Sequence, residues 1–240
     1  MSTSLDDRLW QAALKLAREV DALSFGDSVR VYNPLRYARA NHREYLRRYA
    51  KTPARQLYVG MNPGPWGMAQ TGVPFGHVGL VCAWLGISGQ VGRPADEHPK
   101  YPVSGFACHR SEGSGARLWG LAAERYKTAD GFFRERFVAN YCPLLFIARD
   151  RNLVPEKLPT ATRDRLFAPC NRHLQTMCDA LEPEWVIGVG TFARKRAESA
   201  LAGTRCNVIG IPHPSPASPA ANRGWAAQVD AQLARYGLVF

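Results

Sequence analysis

Two long stretches of the sequence contain no acidic residue. Neither Asp nor Glu occurs between Arg55 and Asp96, or between Glu198 and Asp230. A site built from these stretches must work without a carboxylate base of its own, and it would tolerate a nearby anion such as phosphate. Over the whole chain, 31 Lys and Arg stand against 20 Asp and Glu, a formal net charge of +11. This excess favours a polyanionic partner, and a basic surface that only maintains solubility is the alternative.

Further absences exclude several classes of protein. No apolar run reaches the roughly 18 residues of a membrane span, and no basic-then-apolar segment opens the chain, so we expect a soluble, intracellular protein without a membrane partner. The six cysteines include no C-x-x-C pair, and the six histidines do not fall at metal-ligand spacing. We therefore expect neither a metal site nor an iron–sulfur cluster. The phosphate-loop motif of nucleotide hydrolases and the G-x-S-x-G motif of serine hydrolases are also missing.

One pattern suggests dinucleotide binding. Gly188, Gly190 and Ala193 match G-x-G-x-x-A directly after a predicted strand. No acidic residue follows at the distance of about twenty residues where one would bind a ribose. A close packing turn between a strand and a helix is the better explanation of these glycines.

Strand and helix patterns alternate over most of the chain. With 240 residues and 46% hydrophobic content, a single domain covering residues 1–240 can build a full core. The alternation predicts a mostly parallel sheet sandwiched between helices, with the helices of residues 1–55 packed onto it. Helices are predicted for Leu5 to Leu23, Val78 to Leu85, Leu118 to Tyr126, Arg163 to Leu181 and Arg223 to Tyr236, and strands for the stretch ending at Val59 and for the stretches beginning at Arg136, Trp185 and Cys206.

Residues 30–55 combine positive charge with aromatic side chains. Eight Lys or Arg stand there against one acid, Glu44, and they are interleaved with four tyrosines. Such a run can be a solvated helix face. Beside a glycine-rich loop, however, it favours a surface along which a phosphate backbone approaches.

The stretch from Leu57 to Gly76 is the strongest functional signal. A buried strand runs into a loop with five glycines and three prolines, which let a ligand approach the backbone and restrict the loop before binding. Asn62 and Gln70 supply amide groups there, and Phe75 supplies a flat apolar face. We interpret this stretch as a preformed pocket wall.

Two other strand ends carry polar side chains. Asn140 lies at or near the end of the strand that begins at Arg136, where Pro143 forces the chain out of the sheet. His213 stands between two prolines after the last strand, so its backbone is restricted and its imidazole is aimed. Ligands of open α/β sheets collect at the carboxyl ends of strands, which makes both side chains candidates for substrate contacts.

These motifs resemble those of a known family. Gly60-Met-Asn-Pro-Gly-Pro-Trp-Gly-Met-Ala-Gln-Thr-Gly-Val-Pro-Phe-Gly76 and His213-Pro-Ser-Pro with Ala221-Asn-Arg-Gly-Trp225 are similar to the two signature motifs of the single-strand-selective monofunctional uracil-DNA glycosylases, in the uracil-DNA glycosylase superfamily. Segments 111–120 and 137–146 resemble that family as well, and the likeness extends from about Leu57 to the C-terminus. The resemblance implies a single-domain, three-layer α/β/α sandwich around a mostly parallel central sheet. It also implies an enzyme that flips uracil out of DNA and hydrolyses its N-glycosidic bond, with no lyase activity.

The family's functional residues map onto this chain. The resemblance implies that Asn62 positions the attacking water and that His213 hydrogen-bonds O2 of the departing base. It implies that Phe75 stacks on the base while Asn140 accepts from N3 and donates to O4, a pattern that cytosine reverses. The pocket wall would be completed by Met61, Gly64 and Met68.

The second motif is implied to be a loop that wedges into DNA in place of the flipped base. Where the family commonly has Arg-Asn, this chain has Ala217-Ser218, so we expect a weaker grip on duplex DNA and weaker retention of the product. The DNA-binding residues implied by the resemblance are Pro214, Ser215, Pro216, Ala217, Ser218, Asn222 and Arg223.

Several expectations about substrate and partners follow. Gly64 leaves room beside the base, which predicts that 5-substituted uracils such as 5-hydroxymethyluracil are accepted. Removal of xanthine or hypoxanthine is one alternative, and a non-catalytic module that binds single-stranded or damaged DNA is another. The resemblance implies no cofactor, single- and double-stranded DNA as partner, and a monomer acting in the bacterial cytoplasm or nucleoid, or in a nucleus.

Overall fold

A parallel sheet of four strands forms the centre of the molecule. The computed structural model describes residues 3–219 and 221–240, and the strand order in this sheet is β3-β2-β6-β7. Helices flank the sheet, which confirms the predicted three-layer α/β/α sandwich. The strands are β1 Val29–Tyr32, β2 Gln56–Gly60, β3 Arg136–Asn140, β4 Leu145–Ala148, β5 Arg151–Leu153, β6 Trp185–Val189 and β7 Asn207–Ile211.

The five helices predicted with bounds are present, with different ends, and short helices such as Met68–Thr71 (α4) and Ala129–Phe133 (α7) are additional. Helix α1 begins after Ser4, whose side chain accepts a hydrogen bond from the backbone N–H of Asp7, and it packs on α8. The α-helices are α1 Leu5–Asp21, α2 Pro34–Tyr37, α3 Arg39–Tyr49, α4 Met68–Thr71, α5 Val78–Ala83, α6 Gly113–Tyr126, α7 Ala129–Phe133, α8 Thr160–Leu181, α9 Thr191–Ala200 and α10 Trp225–Ala234. Short 3₁₀ turns cover Gly105–Ala107, Pro155–Lys157 and Ala221–Arg223.

The register of the parallel strands brings three loops together. Strand β2 is buried along its length, and its last residue, Gly60, pairs with Asn140 at the end of β3. On the other side, Val59 pairs with Gly188, and β6 in turn pairs with β7 up to Ile211. Parallel strands end at the same edge, so the loops after β2, β3 and β7 meet there.

A second sheet of three antiparallel strands, β1-β4-β5, was not predicted. Strand β1 lies in the part of the chain for which only helices were expected. The strand predicted to begin at Arg136 ends at Asn140, as expected, and Pro143 lies in the connection by which the chain leaves the central sheet. A proline has no N–H to continue the ladder. The residues after Pro143 form a further strand, β4, which belongs to the antiparallel sheet.

Three of the four tyrosines in the basic stretch are core residues, so they do not form an exposed aromatic surface together with the basic side chains. Tyr45 is fully buried and donates to the carbonyl of Val138 at 2.8 Å, and Tyr32 and Tyr49 are core residues as well. Most of the cations have acidic partners within the protein. The pairs are Arg30 with Asp96, Arg36 with Asp21, Arg43 with Asp6 and Asp7, Arg47 and Arg48 with Glu44, Lys51 with Asp130, and Arg55 with Glu184.

The dinucleotide-like glycines serve packing, as the sequence indicated. A Cβ on Gly188 would overlap the backbone of Arg194 in α9. The close packing of β6 against α9 therefore explains the glycine at position 188, and no bound dinucleotide is needed to explain it.

Two features are absent from residues 3–219 and 221–240. No helix is both long enough and apolar enough to cross a bilayer. No group of three or more His, Cys, Asp or Glu is placed so that it could hold a metal ion.

Two histidines whose rings are shielded from solvent make stability depend on pH. His42 donates from Nδ1 to the carbonyl of Gly72 at 3.0 Å, and His173 is partly buried, with its Nδ1 out of contact with solvent. Burial lowers the pKa of both to about 4 from an ordinary 6.5, and for His173 the nearby His42 adds to the effect. Between these two values the unfolded chain binds protons that the folded protein does not bind. The folded state therefore loses stability as the pH falls through this window.

We expect the free energy of unfolding to fall by about 1.4 kcal/mol per pH unit for each of these protons below about pH 6.5. His173→Leu removes one of the two groups, so its acid slope should be shallower than that of the native protein. Urea unfolding at several pH values between about 7.5 and 4.5 measures both slopes. Parallel slopes in the two proteins would show that His173 is not a source of the pH dependence.

Candidate active site

A cavity of about 270 Å³ opens at the carboxyl edge of the parallel sheet. Asn62 and His213, from the loops after β2 and β7, line it together with Phe75 and with Asn140 at the end of β3. The two rigid loops therefore share one cavity, as predicted. The lining residues are Met61, Asn62, Pro63, Gly64, Pro65, Met68, Phe75, Glu112, Ser114, Asn140, Asn152, Val154, His213 and Ser215.

The amide of Asn62 is held in one orientation. Its Nδ2 donates to the carbonyl of Leu144 at 3.0 Å and to that of Pro63 at 3.4 Å. No hydrogen bond from a described residue to Oδ1 is present, so this oxygen of a cavity-lining residue is available as an acceptor. A water molecule bound there would have its oxygen lone pairs free to attack.

His213 lines the cavity with its ring in a defined tautomer. Its Nδ1 accepts a hydrogen bond from the backbone N–H of Ser215 at 3.1 Å, so the proton of a neutral ring must lie on Nε2. Burial lowers the pKa of His213, which keeps the imidazole neutral at physiological pH. Gly190, at φ +90°, makes room for the ring, because a Cβ there would lie 3.1 Å from ring carbon Cδ2.

The inner end of the cavity is shaped for a flat ring with a polar edge. A Cβ on Gly60 would lie 2.5 Å from Oδ1 of Asn140 and 2.6 Å from the ring of Phe75, so only glycine lets these two groups meet. Nδ2 of Asn140 donates to the sulfur of Met68 at 3.2 Å. Phe75 itself is a non-glycine residue at φ +53°, the kind of backbone strain that concentrates at functional sites.

Gln70, which the sequence offered as a further polar contact, is turned away from the cavity. Its amide is fully buried, where Nε2 donates to the carbonyls of Pro65 and Pro102 at 2.8 and 2.9 Å. Its Oε1 accepts from the backbone N–H groups of Ser104 and Gly105. All of its hydrogen-bonding capacity holds the loop in place.

The expectation of a site without a carboxylate is wrong, because Glu112 lines the cavity. It precedes α6, which begins at Gly113 and not at Leu118, and its side chain caps the helix by accepting from the N–H of Ser114 at 3.3 Å. Burial raises the pKa of Glu112, and the hydrogen bonds from Ser114 oppose that shift. Glutamate is not among the residues preferred at helix N-caps, so the local sequence carried little signal for this helix start.

Sequence reasoning also missed Arg117, which holds the second loop. Its guanidinium donates to the carbonyl of Pro214 and to Oδ1 of Asn222, both at 2.9 Å. Nδ2 of Asn222 donates to the carbonyl of Pro216 at 2.8 Å. The amide of Asn222, predicted to contact DNA, is thus used within the protein, and it keeps the residues after His213 in a closed turn.

The remaining residues of the predicted DNA-binding loop lie outside the cavity or at its rim. Ser215 lines the cavity, and Ser218 lines the neighbouring cleft beside Gly190. The backbone N–H of Ala217 donates to Oγ of Ser215 at 3.2 Å. Pro216, Ala217 and Arg223 are exposed on the loop surface.

The sequence of this chain is similar to those of known uracil-DNA glycosylases. The family model described as the Uracil DNA glycosylase superfamily matches residues 47–232. The single-strand selective monofunctional uracil-DNA glycosylases of Rattus norvegicus and Mus musculus are each 46% identical over 240 residues, covering 98% of this chain and 86% of theirs. The Bos taurus protein of that name is 45% identical, covering 98% of this chain and 88% of its own.

A solved structure supports the fold. The crystal structure of wild-type Pedobacter heparinus SMUG2 superposes with a TM-score of 0.63 at 16% identity, and the match covers 94% of this chain and 97% of that one. At this identity the likeness concerns the arrangement of strands and helices. It does not extend to individual side chains.

Proposed function

The chain belongs to the uracil DNA glycosylase superfamily, and on this premise we propose that it is a monofunctional DNA glycosylase that removes uracil and leaves an abasic site for base excision repair. The observation that carries the proposal is the cavity that Asn62 and His213 share with Phe75 and Asn140. The outer groups, Asn62 and His213, suit cleavage of the N-glycosidic bond. The inner groups, Phe75 and Asn140, suit binding of a pyrimidine ring.

The inner groups support recognition of a flipped base. Extruding a nucleotide costs a few kcal/mol, which stacking on Phe75 and hydrogen bonds to the base edge can recover. Oδ1 of Asn140 would accept from N3–H of uracil and Nδ2 would donate to O4. Cytosine has an acceptor at N3 and a donor at N4, so it would leave these buried groups unpaired, which is costly.

The outer groups support hydrolysis with a loosely bonded transition state. Asn62 can orient a water through Oδ1 but cannot take its proton, so the sugar must carry much positive charge before water attacks. The departing base then carries negative charge, which the Nε2–H of His213 would stabilise at O2. Among the described residues that line the cavity none is a lysine, which is consistent with hydrolysis and not with Schiff-base lyase chemistry.

The test is a uracil-containing oligonucleotide treated with alkali after incubation with the protein. We expect an alkali-cleavable abasic product, lost in Asn62→Ala and retained in Asn207→Ala, which alters an exposed asparagine at the amino end of β7. Strands that remain intact while binding persists would favour the non-catalytic DNA-binding module. Cleavage of xanthine or hypoxanthine oligonucleotides without cleavage of uracil would favour the broader deaminated-base alternative.

The choice of strand is part of the proposal. The side chains of Ala217 and Ser218 are too short to fill the gap that a flipped base leaves in a duplex. This supports excision from single strands, and from duplex DNA that the protein binds more weakly. We propose that the protein acts as a monomer, since one chain supplies every residue named in the mechanism. Its DNA substrate suggests the bacterial cytoplasm or nucleoid, or a nucleus, as the compartment.

Arg117 gives a prediction about positioning. Arg117→Lys keeps the charge but cannot donate to Pro214 and Asn222 in the same geometry, so the loop that carries His213 should shift. We expect the single-turnover excision rate to fall by roughly 10- to 100-fold, the cost of misplacing a catalytic group by up to about 1 Å. Arg125→Lys is the control, because Arg125 lies on the same helix and pairs with Asp230. A rate equal to that of Arg125→Lys would argue against the positioning role.

A further inference from the structure

Four exposed basic side chains near the cavity have no acidic partner. Most cations of residues 30–55 are paired with acids, but Lys100, Arg110, Arg149 and Arg151 form no ion pair within residues 3–219 and 221–240. They belong to segment 98–110 and to the β4–β5 hairpin, and neither of these belongs to the loops that carry Asn62 and His213. Positive charge that the protein does not neutralise itself is available to an anionic ligand.

Trp66 and Tyr101 form a partly exposed aromatic pair beside the cavity. Trp66 directly follows Pro65, which lines the cavity, and its ring centroid lies 5.7 Å from that of Tyr101. The guanidinium of Arg110 lies 4.9 Å from the centroid of the Trp66 ring. Nζ of Lys100 lies 5.8 Å from the centroid of the Tyr101 ring. Aromatic faces accompanied by positive charge are the combination that binds single-stranded nucleic acid.

The turn of the β4–β5 hairpin holds two arginines beside the same cavity. Ala148 pairs with Arg151, so the two residues between them form the turn. These residues, Arg149 and Asp150, have positive φ values of +47° and +60°, as a type I′ hairpin turn requires. Asn152, directly after Arg151, lines the cavity. The arginines are therefore presented at its rim by a turn of fixed geometry.

Segment 98–101 joins this turn to the aromatic pair. Nδ1 of His98 accepts from the backbone N–H of Lys100, and Nε2 donates to Oδ1 of Asp150 at 2.8 Å, which engages that carboxylate within the protein. Nζ of Lys100 and the hydroxyl of Tyr101 donate to the carbonyl of Asp150 at 3.1 and 3.0 Å. Because the ring of Tyr101 also contacts Trp66, the turn and the aromatic pair form one surface.

We propose that this surface binds the single-stranded DNA that flanks the flipped nucleotide, with unpaired bases stacking on the aromatic pair and phosphates contacting the basic side chains. The residues of this flanking-strand surface are Trp66, Lys100, Tyr101, Arg110, Arg149 and Arg151. The inference rests on the proposed glycosylase function and adds a second site for the same strand. Unpaired bases can turn their faces to the protein, whereas the bases of a duplex are stacked on one another, so the surface favours single strands.

Substrate length tests the proposal. Excision is measured with subsaturating protein on a trinucleotide with a central uracil and on a single strand of about 20 nucleotides, longer than typical single-strand binding sites. Only the long substrate supplies nucleotides for the flanking-strand surface. The ratio of the two apparent second-order rate constants, long over short, therefore reports on this surface, and a general change in the catalytic step cancels.

We expect Trp66→Ala to lower the ratio of long to short substrate by about fivefold or more, the value of one stacked base. Trp66→Phe keeps an aromatic face and should recover most of the native ratio. A ratio that stays native in Trp66→Ala would overturn the stacking role. A ratio that falls equally in Trp66→Phe would also overturn it, because a stacking site requires an aromatic ring and not tryptophan itself.

Salt dependence tests the basic side chains. The dissociation constant of the protein for a single strand without uracil is measured at several salt concentrations. In Arg149→Gln with Arg151→Gln, the slope of log affinity against log salt should become shallower by about 1.4, the value of two lost phosphate contacts on a single strand. Arg134→Gln with Arg205→Gln removes the same charge at exposed positions before the amino ends of β3 and β7, and it should keep the native slope.

The two measurements separate this proposal from the proposed function. If the native protein releases uracil but both the length ratio and the salt slope stay native in the variants, only the flanking-strand surface fails. An equal loss of affinity for duplex DNA of the same length would also overturn it, since the surface would then contact backbone alone. If the native protein leaves every uracil strand intact, the proposed function fails, and the salt slopes still test the surface.

Discussion

Replacing His213 with Ala is expected to slow uracil release by about 100- to 1,000-fold, the usual loss when one donor to a developing anion is removed. The reason is geometric. Because Ser215 donates to Nδ1, the neutral imidazole of this cavity-lining residue carries its proton on Nε2, and burial lowers its pKa and so favours the neutral ring. In the proposed complex, His213 is the one described side chain that we place as a donor to O2 of the base.

Single-turnover kinetics separate this effect from binding. The rate constant for His213→Ala should fall while the dissociation constant for a uracil oligonucleotide, measured in an Asn62→Ala background, changes little, because the bond to O2 strengthens mainly as charge develops. His109→Ala, at an exposed position in a loop, is the matched control. A loss that appears wholly in affinity would mean that His213 binds the ground state and does not stabilise the anion.

The second large loss of excision activity is expected from Gly115→Ala, which adds a single methyl group. Gly115 lies in the first turn of α6, and a Cβ there would overlap the carbonyl oxygen of Phe75 and lie 3.0 Å from the backbone N of His77. Backbone cannot rotate away as a side chain can. Gly115→Ala should therefore displace Phe75, with a destabilisation of about 1–3 kcal/mol and a loss of excision of about 100-fold or more.

Gly120 provides a control on the same helix with the opposite sign. Nothing lies within 4 Å of a Cβ at Gly120, so Gly120→Ala should stabilise the protein by about 0.5–1 kcal/mol through helix propensity alone. Urea unfolding and single-turnover excision of both variants measure the contrast. If Gly115→Ala were as stable and as active as Gly120→Ala, close packing of α6 on the Phe75 segment would not be needed.

These predictions converge on the start of α6. Glu112 lies against Gly64, Gly115 against Phe75, and Arg117 donates to Pro214. A Cβ on Gly113 would lie 2.7 Å from Cγ of Pro216. The first turn of this helix therefore contacts both loops of the cavity, and we expect substitutions there to alter the distance between Asn62 and His213.

Local sequence patterns predicted the parts of the molecule in which neighbours along the chain decide the structure. The buried run at β2, the proline exit after Asn140 and the helical spacing from Leu5 all correspond to observed elements. The two rigid loops were recognised because glycine and proline restrict the backbone wherever they occur. Strand ends in a parallel sheet share an edge, so the meeting of Asn62, Asn140 and His213 could be predicted as well.

Other features depended on residues far apart in the sequence. Strand β1 forms because β4 offers it an antiparallel partner, and no local periodicity distinguishes Val29–Tyr32 from a loop. Tyr45 and Tyr49 are core residues, since they pack on Phe133 of α7 and Tyr45 also packs on Phe137 of β3. The acid-free stretches were real, but the carboxylate in the cavity came from a third segment that only the folded chain brings to Gly64.

The sequence by itself determined the fold class, the two loops and the family, because glycines, prolines and the order of the motifs are properties of the chain. The tertiary structure alone decided which groups face the cavity. Four hydrogen bonds hold the side chain of Gln70 inside the protein, away from the cavity. The side chain of Glu112 lies against Gly64, which is 48 residues earlier in the sequence (112 − 64 = 48). The direction of a side chain is set by the neighbours it packs against, and those neighbours are not adjacent in the sequence.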